Sequence, residues 1–438
     1  MGLLVAGTLL AFGVTACGGD DDEAEPRETA EAAAAAAPPA STAGKLTIWC
    51  WEAAADTLKV VDDDFKRAYP NIELKYVLLQ PADVYQKLQL AVAAGGGFPD
   101  VSCIEDSHLA QFVELGTLAD ITEQATPFVE QMNAHKWSQA QKDGRYFAVP
   151  WDSGPVGVFY RRDVFRRAGV DPASIETWED YYEAAKTVKA KTGVAMWPQP
   201  KGQNDARLFE MLLWQQGLGY IDAEGNVILD EEPQIEETLE FMGRFWKEGL
   251  AAGEEWWTDP WYKALANGDV ATVVEAVWLG TFFKSFIAPK AGGKWGVIKL
   301  PVWESGGSQA SNDGGSALAV LEESKQQEAA WAYTRFHLVL DKSQLEMYRK
   351  KDIFPSLETT YDDAFFEQPD PYFGGDKARE LFAEVVKEIP EAGIYSPDYQ
   401  QMNQLTAAEL QKYALGKQSA SEALANAARA IRARTKRS

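Results

Sequence analysis

The chain has 438 residues, 46% of them hydrophobic and 12% aromatic, and a formal net charge of −24 at neutral pH. That charge repels phosphate backbones and anionic lipid, which excludes nucleic acid as a partner and adsorption to a membrane surface. Residues 45–438 exceed the ~250–300 at which a single core stops growing, so two lobes are expected, with apolar residues enough to fill both.

In chain order, residues 3–14 form an apolar run far shorter than the ~20 residues that span a bilayer, ending in Val14-Thr15-Ala16-Cys17. That ending resembles a lipobox, so residues 1–17 read as a lipoprotein signal peptide with Cys17 as the lipidated first residue of the mature chain. An ordinary signal peptide cleaved nearby is the alternative. No Lys or Arg precedes the run, although secretory signals begin basic, which leaves open whether the start lies upstream of Met1. Residues 18–44 carry Asp20-Asp21-Asp22, an alanine run over 32–37 and Pro38-Pro39, without apolar periodicity. Such a segment cannot bury enough surface to fold and is expected to be a disordered tether, on the order of 30 Å long as a flexible coil.

The first lobe opens with a strand over 46–51, a helix over 56–69 stopped by Pro70, a strand over 72–79, a helix over 82–94, the turn Gly95-Gly96-Gly97 and a strand over 100–104. Strands and helices alternating at this length imply a parallel sheet covered on both faces. Cys50 and Cys103 fall near two strand ends and could pair in an oxidising compartment if those strands are neighbours. Two free buried thiols are the preferred reading, because directly adjacent parallel strands rarely offer disulfide geometry. Further on, Val156, Val158 and Tyr160 alternate with Gly157 and Phe159 as in a buried strand. Thr177 is placed to cap a helix whose first turn carries Glu179 and Asp180. Asn267-Gly268-Asp269-Val270-Ala271 leads into a strand through Glu275 and on to Trp278. Gly314-Gly315-Ser316 turns into a strand over 317–321, followed by helices over 325–340 and, near the end, 405–413 and 419–433.

The stretch DGRYFAVPWDSGPVGVFYRRDVFRRAGVDPASIETWEDY, from Asp143 to Tyr181, resembles the signature of the group 1 extracellular solute-binding proteins, the maltose-binding-protein-like sugar receptors of ABC importers. Pro99-Asp100-Val101, Leu115-Gly116-Thr117-Leu118-Ala119-Asp120, Leu300-Pro301 and Phe354-Pro355-Ser356 extend the resemblance over nearly all of residues 45–433. Two positions depart from the usual pattern: Arg161, where most members have Asn or Asp, and Trp151, where they have a smaller apolar residue. The resemblance implies an α/β, two-lobed periplasmic-binding-protein-like fold of type II, each lobe a mainly parallel sheet flanked by helices, joined by a multi-strand hinge. Mapped here, the crossings fall near residues 152–156, 301–305 and 350–355, giving lobe one as 45–152 with 303–350 and lobe two as 153–302 with 351–438. It also implies a monomer held at the extracellular face of the cytoplasmic membrane, or in the periplasm, through Cys17, and partnered by the transmembrane subunits of a permease.

Open parallel sheets bind ligands beyond the carboxyl ends of their strands. Those ends carry Trp51 and Glu52, Glu105 and Asp106, Asp152, and Asp313 with Gly315. Carboxylates accept paired hydrogen bonds from vicinal hydroxyls and an indole face packs on the C–H side of a pyranose, which together make the composition of a sugar site. By the resemblance, Trp278 stands at the position of a sugar-stacking aromatic. Trp197, and Trp256, Trp257 and Trp261 in the segment 254–262, are further candidates. Each of these has a plainer reading, as a Trp filling a lobe core or a loop-end acid in solvent. Tyr181-Tyr182 lies inside a helix and reads as packing rather than as a ferric-ion pair. His108, His135 and His337 are not within ligand spacing of one another, and neither a Gly-x-Ser-x-Gly elbow nor a phosphate loop is present. The expected function is therefore a receptor, not an enzyme and without cofactor, that captures an extracellular carbohydrate. The number of Trp favours an oligosaccharide. Alternatives are a secreted carbohydrate-active hydrolase with paired carboxylates, and a receptor for a polyol or a metal ligand.

Overall fold

In the strand that opens the first lobe, Leu46, Ile48 and Cys50 are fully buried and alternate with more exposed neighbours, the period-2 pattern of a strand. The computed structural model describes residues 37–202, 205–390 and 395–438. The expected signal peptide, Cys17 and the tether up to residue 36 lie outside the described residues. The last part of the expected tether is bound to the first lobe: the Tyr69 hydroxyl donates to the Pro38 carbonyl at 3.2 Å, and Thr42 Oγ1 donates to Glu328 at 3.3 Å.

Eight strands build the two main sheets: β1 (Gly44–Cys50), β2 (Ile72–Leu78), β3 (Val101–Glu105), β4 (Val149–Asp152), β5 (Val156–Arg161), β6 (Thr272–Ala276), β7 (Trp295–Ile298) and β8 (Ser316–Val320). The first sheet has the order β2-β1-β3-β8-β4, parallel across β2, β1 and β3, with β8 antiparallel to both of its neighbours. Ser316, at the start of β8, pairs with both Glu105 and Asp152, so the carboxyl ends of β3 and β4 share one edge. Cys50 and Cys103 are joined as a disulfide with their Cα atoms 5.0 Å apart, against the expectation of free thiols. They follow directly on the two paired positions of β1 and β3, Ile48 with Val101 and Trp49 with Ser102, at the point where the short ladder between these strands ends. The helix expected as one piece over 56–69 is two, Glu52–Leu58 and Asp62–Ala68. The β-branched Val60 and Val61 fall at the break, and burial of Val61 there outweighs their weak helix preference.

The second lobe is built on the order β6-β5-β7, antiparallel throughout, which corrects the expectation of a mainly parallel sheet on this side. Its strands are not linked by strand–helix–strand crossovers along one direction. Among the described residues of this lobe, parallel pairing is limited to Trp197–Pro198 against Ala251–Ala252 and to bridges between Ala195 and Val270 and between Thr177 and Val302. All six residues of β5 are buried, as for a central strand covered on both faces. The helix Trp178–Thr192 carries the expected cap, as a reciprocal box in which Thr177 and Asp180 each accept from the other's backbone N–H. Tyr181 and Tyr182 pack within this lobe, the Tyr181 hydroxyl lying 2.5 Å from Thr272 Oγ1.

Three extended segments join the lobes. Ser153 N donates to the Phe354 carbonyl and Ser356 N to the Trp151 carbonyl, both at 3.0 Å. Val156 N donates to the Ser311 carbonyl at 3.0 Å, and Asp313 N to the Gly154 carbonyl at 2.9 Å. A Cβ on Gly154 would collide with the Asp313 carbonyl, so this close backbone approach requires glycine. The second crossing lies later in the chain than 301–305. Val302 bridges Thr177, and Gln215 Nε2 donates to the carbonyls of Pro301 and Ser308 at 2.7 Å, which ties that stretch to lobe two until the chain reaches the hinge at 311–313.

The unusual Arg161 has a structural task. Its side chain is 1% exposed, bonds both Asp163 oxygens at 2.9 Å and donates to the carbonyls of Leu265 and Ala266 at the end of the helix Asp259–Asn267. It lies over the Trp295 ring at 5.5 Å. Arg161→Met should therefore leave those carbonyls and Asp163 without their donor and lower unfolding stability by about 2–3 kcal/mol, read from urea denaturation. An unchanged midpoint would contradict this account.

Candidate functional site

A cleft of about 690 Å³ runs between the lobes along the shared edge of the first sheet. Lobe one lines it with Trp51, Glu105 and Asp152, the hinge with Asp313 and Gly315, and lobe two with Arg207, Glu210, Trp257 and Trp278. The helix Tyr399–Ala414 adds Tyr399 and Asn403.

The aromatic wall is assembled by strand and helix ends. β6 delivers the chain to Val277, whose N–H donates to the Pro155 carbonyl in the hinge, and Trp278 then opens the short helix Trp278–Phe282. The Trp278 indole N–H donates to the Asp313 carbonyl at 3.0 Å, which fixes the ring's angle to the hinge. Trp257 sits beside it, 5.7 Å between centroids and tilted by 33°. Trp257 has a φ of +66°, a left-handed conformation that a bulky residue adopts only under constraint, and such strain concentrates at binding sites. The Arg207 guanidinium lies 5.8 and 5.9 Å from these two rings and donates to Asp313 at 2.6 Å. One cation thus braces both indoles and the hinge carboxylate.

Opposite stand the carboxylates. Glu105 accepts from the Tyr85 hydroxyl at 2.8 Å. Burial raises its carboxyl above the ordinary value, with the nearby Asp152 and Asp313 pushing the same way against Arg207. Asp152 is likewise raised by burial, opposed by Lys136 and by hydrogen bonds from Ser316. Glu210 accepts from the Tyr399 hydroxyl at 2.9 and 3.0 Å and from Asn403 Nδ2 at 3.0 Å, and burial pushes its carboxyl up to about 7. Glu275 on β6 is wholly buried beside Asp313, and desolvation with that neighbour holds it well above the carboxylate range. Neutral hydroxyls suit such a surface, because each can donate to a carboxylate without adding charge to a crowded, poorly solvated site.

Of the residues expected at the site, Trp51, Glu105, Asp152, Trp257, Trp278, Asp313 and Gly315 line the cleft. Three do not. Glu52 is exposed in the first turn of its helix, where the helix dipole accounts for its charge. Asp106 is buried behind the cleft floor in an ion pair with Lys136, a lysine that is itself 1% exposed. A Cβ on Gly315 would meet Asp106 Oδ2 at 2.8 Å and the Asp152 carbonyl at 2.9 Å, so this glycine keeps the pair close to the strand edge. Trp197 is 1% exposed and packs on Phe245 at 4.3 Å within the lobe-two core. Trp256 and Trp261 are buried as well, in the neighbouring cluster. The sequence reading missed Arg207, Glu210, Tyr399 and Asn403. A signal existed: Glu210 stands alone in Leu208-Phe209-Glu210-Met211-Leu212-Leu213, and a carboxylate in so apolar a helix requires polar partners.

Residues 52–338 match the sequence profile of the family described as bacterial extracellular solute-binding protein. A lactose-binding protein of Rhizobium radiobacter is 30% identical over 372 residues, covering 82% of this chain and 86% of that one. An arabinooligosaccharide-binding protein of Halalkalibacterium halodurans is 26% identical over 362 residues, covering 79% and 80%. Among solved structures, the ABC transporter associated binding protein of B. animalis subsp. lactis, in complex with beta-1,6-galactobiose, superposes with a TM-score of 0.75 at 27% identity, covering 90% of this chain and 98% of that one.

Glu210 gives the cleft a pH signature. Between the ordinary glutamate value and about 7 it is protonated in the folded chain and charged in the unfolded one, so the folded state binds the extra proton and stability falls as pH rises through that window. Glu210→Gln should remove this share, so that the variant gains on the parent protein from about pH 5 to about pH 8, by up to roughly 2–3 kcal/mol in urea unfolding. Parallel pH profiles would show that Glu210 is ionised in the folded protein.

Proposed function

The chain belongs to the bacterial extracellular solute-binding protein family, and we propose that it is the carbohydrate receptor of an ABC importer, holding an oligosaccharide between its two lobes and delivering the closed form to a membrane permease. The observation that carries this reading is the pairing, across one cleft, of the Trp257–Trp278 wall with the acceptor row Glu105, Asp152 and Glu210. Indole faces take the C–H side of a sugar ring while the carboxylates take its hydroxyls. Relatives named for lactose and arabino-oligosaccharide, and a structural neighbour holding beta-1,6-galactobiose, support a sugar of two or more residues.

In the open state a ligand meets one wall of the cleft and in the closed state both, so binding closes the hinge by its differential affinity for the two states. The family's members are substrate-binding receptors, and the reading contains no bond-breaking step. The family's extracellular setting and the Val14-Thr15-Ala16-Cys17 motif support a receptor tethered by lipid on Cys17 at the outer face of the cytoplasmic membrane. Among the described residues no helix is long and apolar enough to cross a membrane.

The test is thermal unfolding of residues 37–438 against mono- and oligosaccharides, polyols and ferric citrate, with the mixtures examined afterwards for cleavage. An upward shift with intact oligosaccharide is expected, growing with ligand concentration. Cleaved sugar would make the protein a hydrolase, and stabilisation by a polyol or ferric citrate alone would replace the ligand class. Trp278→Ala should weaken binding of the stabilising sugar by about 2 kcal/mol or more in calorimetry, as the loss of a buried aromatic contact does. Unchanged affinity would remove Trp278 from the site.

A further inference from the structure

We propose that the binding cleft continues outward as an aromatic platform, Phe282 and Phe286 flanked by Tyr262, which stacks the outer residues of an oligosaccharide longer than a disaccharide. The proposal rests on the carbohydrate reading above and extends it to the length of the ligand.

Trp278, Phe282 and Phe286 recur every fourth residue along one continuous helical stretch, and their rings form an unbroken series at 5.6 and 5.3 Å between centroids. Trp278 and Phe282 line the cleft. Phe286 lies one turn further out and is 53% exposed. Tyr262 meets it edge-on at 5.5 Å from the next helix. In a regular α-helix four residues overshoot a full turn by about 40°, so a four-residue stripe drifts around the axis. Here Phe283–Ile287 winds as a π-helix, whose looser turn undershoots and brings Phe286 back to the face that carries Trp278.

Phe286 is not exposed because its segment is loose. Phe283 and Ile287 on either side are buried, and Lys284 is held by Asp352 at 2.5 Å and Asp370 at 2.8 Å. Among the large hydrophobic side chains exposed in the described residues, Phe286 is the single aromatic; the others are Leu78, Leu90, Leu115 and Leu415. A patch one ring wide, continuous with a sugar cleft, is too narrow for a stable protein interface and matches the width of one pyranose face.

The test is titration calorimetry of residues 37–438 and of Phe286→Ala and Phe286→Trp with malto-, galacto- and arabino-oligosaccharides of two to six residues. The parent protein should bind the longer members of one series about tenfold more tightly than its disaccharide, Phe286→Ala should lose that gain, and Phe286→Trp should keep it. Affinity independent of length in the parent protein would overturn the platform while leaving the receptor reading intact. So would a length gain that survives Phe286→Ala, or a disaccharide affinity that falls as far as the tetrasaccharide's. Uptake lost in cells carrying Phe286→Ala with unchanged sugar affinities would assign the ring to the permease instead. Binding of no sugar would overturn the carbohydrate reading and the platform with it.

Discussion

The backbone segment 151–156 pairs with 311–314 on one side and with 354–356 on the other by hydrogen bonds near 3 Å, and the cleft residues take their positions from these three segments. Asp152 closes β4 and pairs with Pro355 and Ser316, Asp313 receives both Arg207 and the Trp278 indole, and Gly154 admits the Asp313 carbonyl where a side chain would not fit. A hinge made of extended backbone rather than packed side chains can change angle without unpacking either core. The same segments that would flex on closure therefore also carry the polar groups that a ligand would touch.

The cleft's electrostatics follow from that placement. Glu105, Asp152, Glu210 and Asp313 gather around one arginine, with Glu275 close behind, and burial holds Glu105, Asp152, Glu210 and Glu275 above ordinary carboxylate values. Lys136 lies behind the floor, paired with Asp106 and opposing the rise at Asp152. A site that already strains to keep its own charges apart is suited to a neutral, hydroxyl-rich ligand and poorly suited to an anion. On the opposite side the aromatic wall supplies apolar faces that need no charge at all.

Much of this was legible in the sequence where a local rule acts alone. Strand ends followed by Trp51, Glu105 and Asp152 announce the edge of a sheet, and Thr177 announces a helix. Legibility failed where tertiary context decides. Asp106 and Glu105 are adjacent in sequence, yet only the buried Lys136, thirty residues away in the chain, separates a structural acid from one in the cleft. Trp197 and Trp257 look alike in sequence, and packing alone put one in the core and the other at the cleft. Arg207, Tyr399 and Asn403 come from segments far from any strand end of the first sheet, so no rule about sheet edges reaches them. The antiparallel ladder of lobe two was hidden for a related reason, since strand pairing is set by the path of the helices and loops between the strands and not by the composition of β5, β6 or β7.

Closure of the two lobes upon a sugar is read from the distance between spin labels placed one on each lobe, at the exposed Leu90 and Leu415, with and without a saturating oligosaccharide. Closure predicts a shortened distance distribution in the presence of sugar and its return when the sugar is removed. An unchanged distribution under conditions where calorimetry shows the sugar to be bound would contradict the account, because the cleft would then be a rigid pocket and the hinge a static connection.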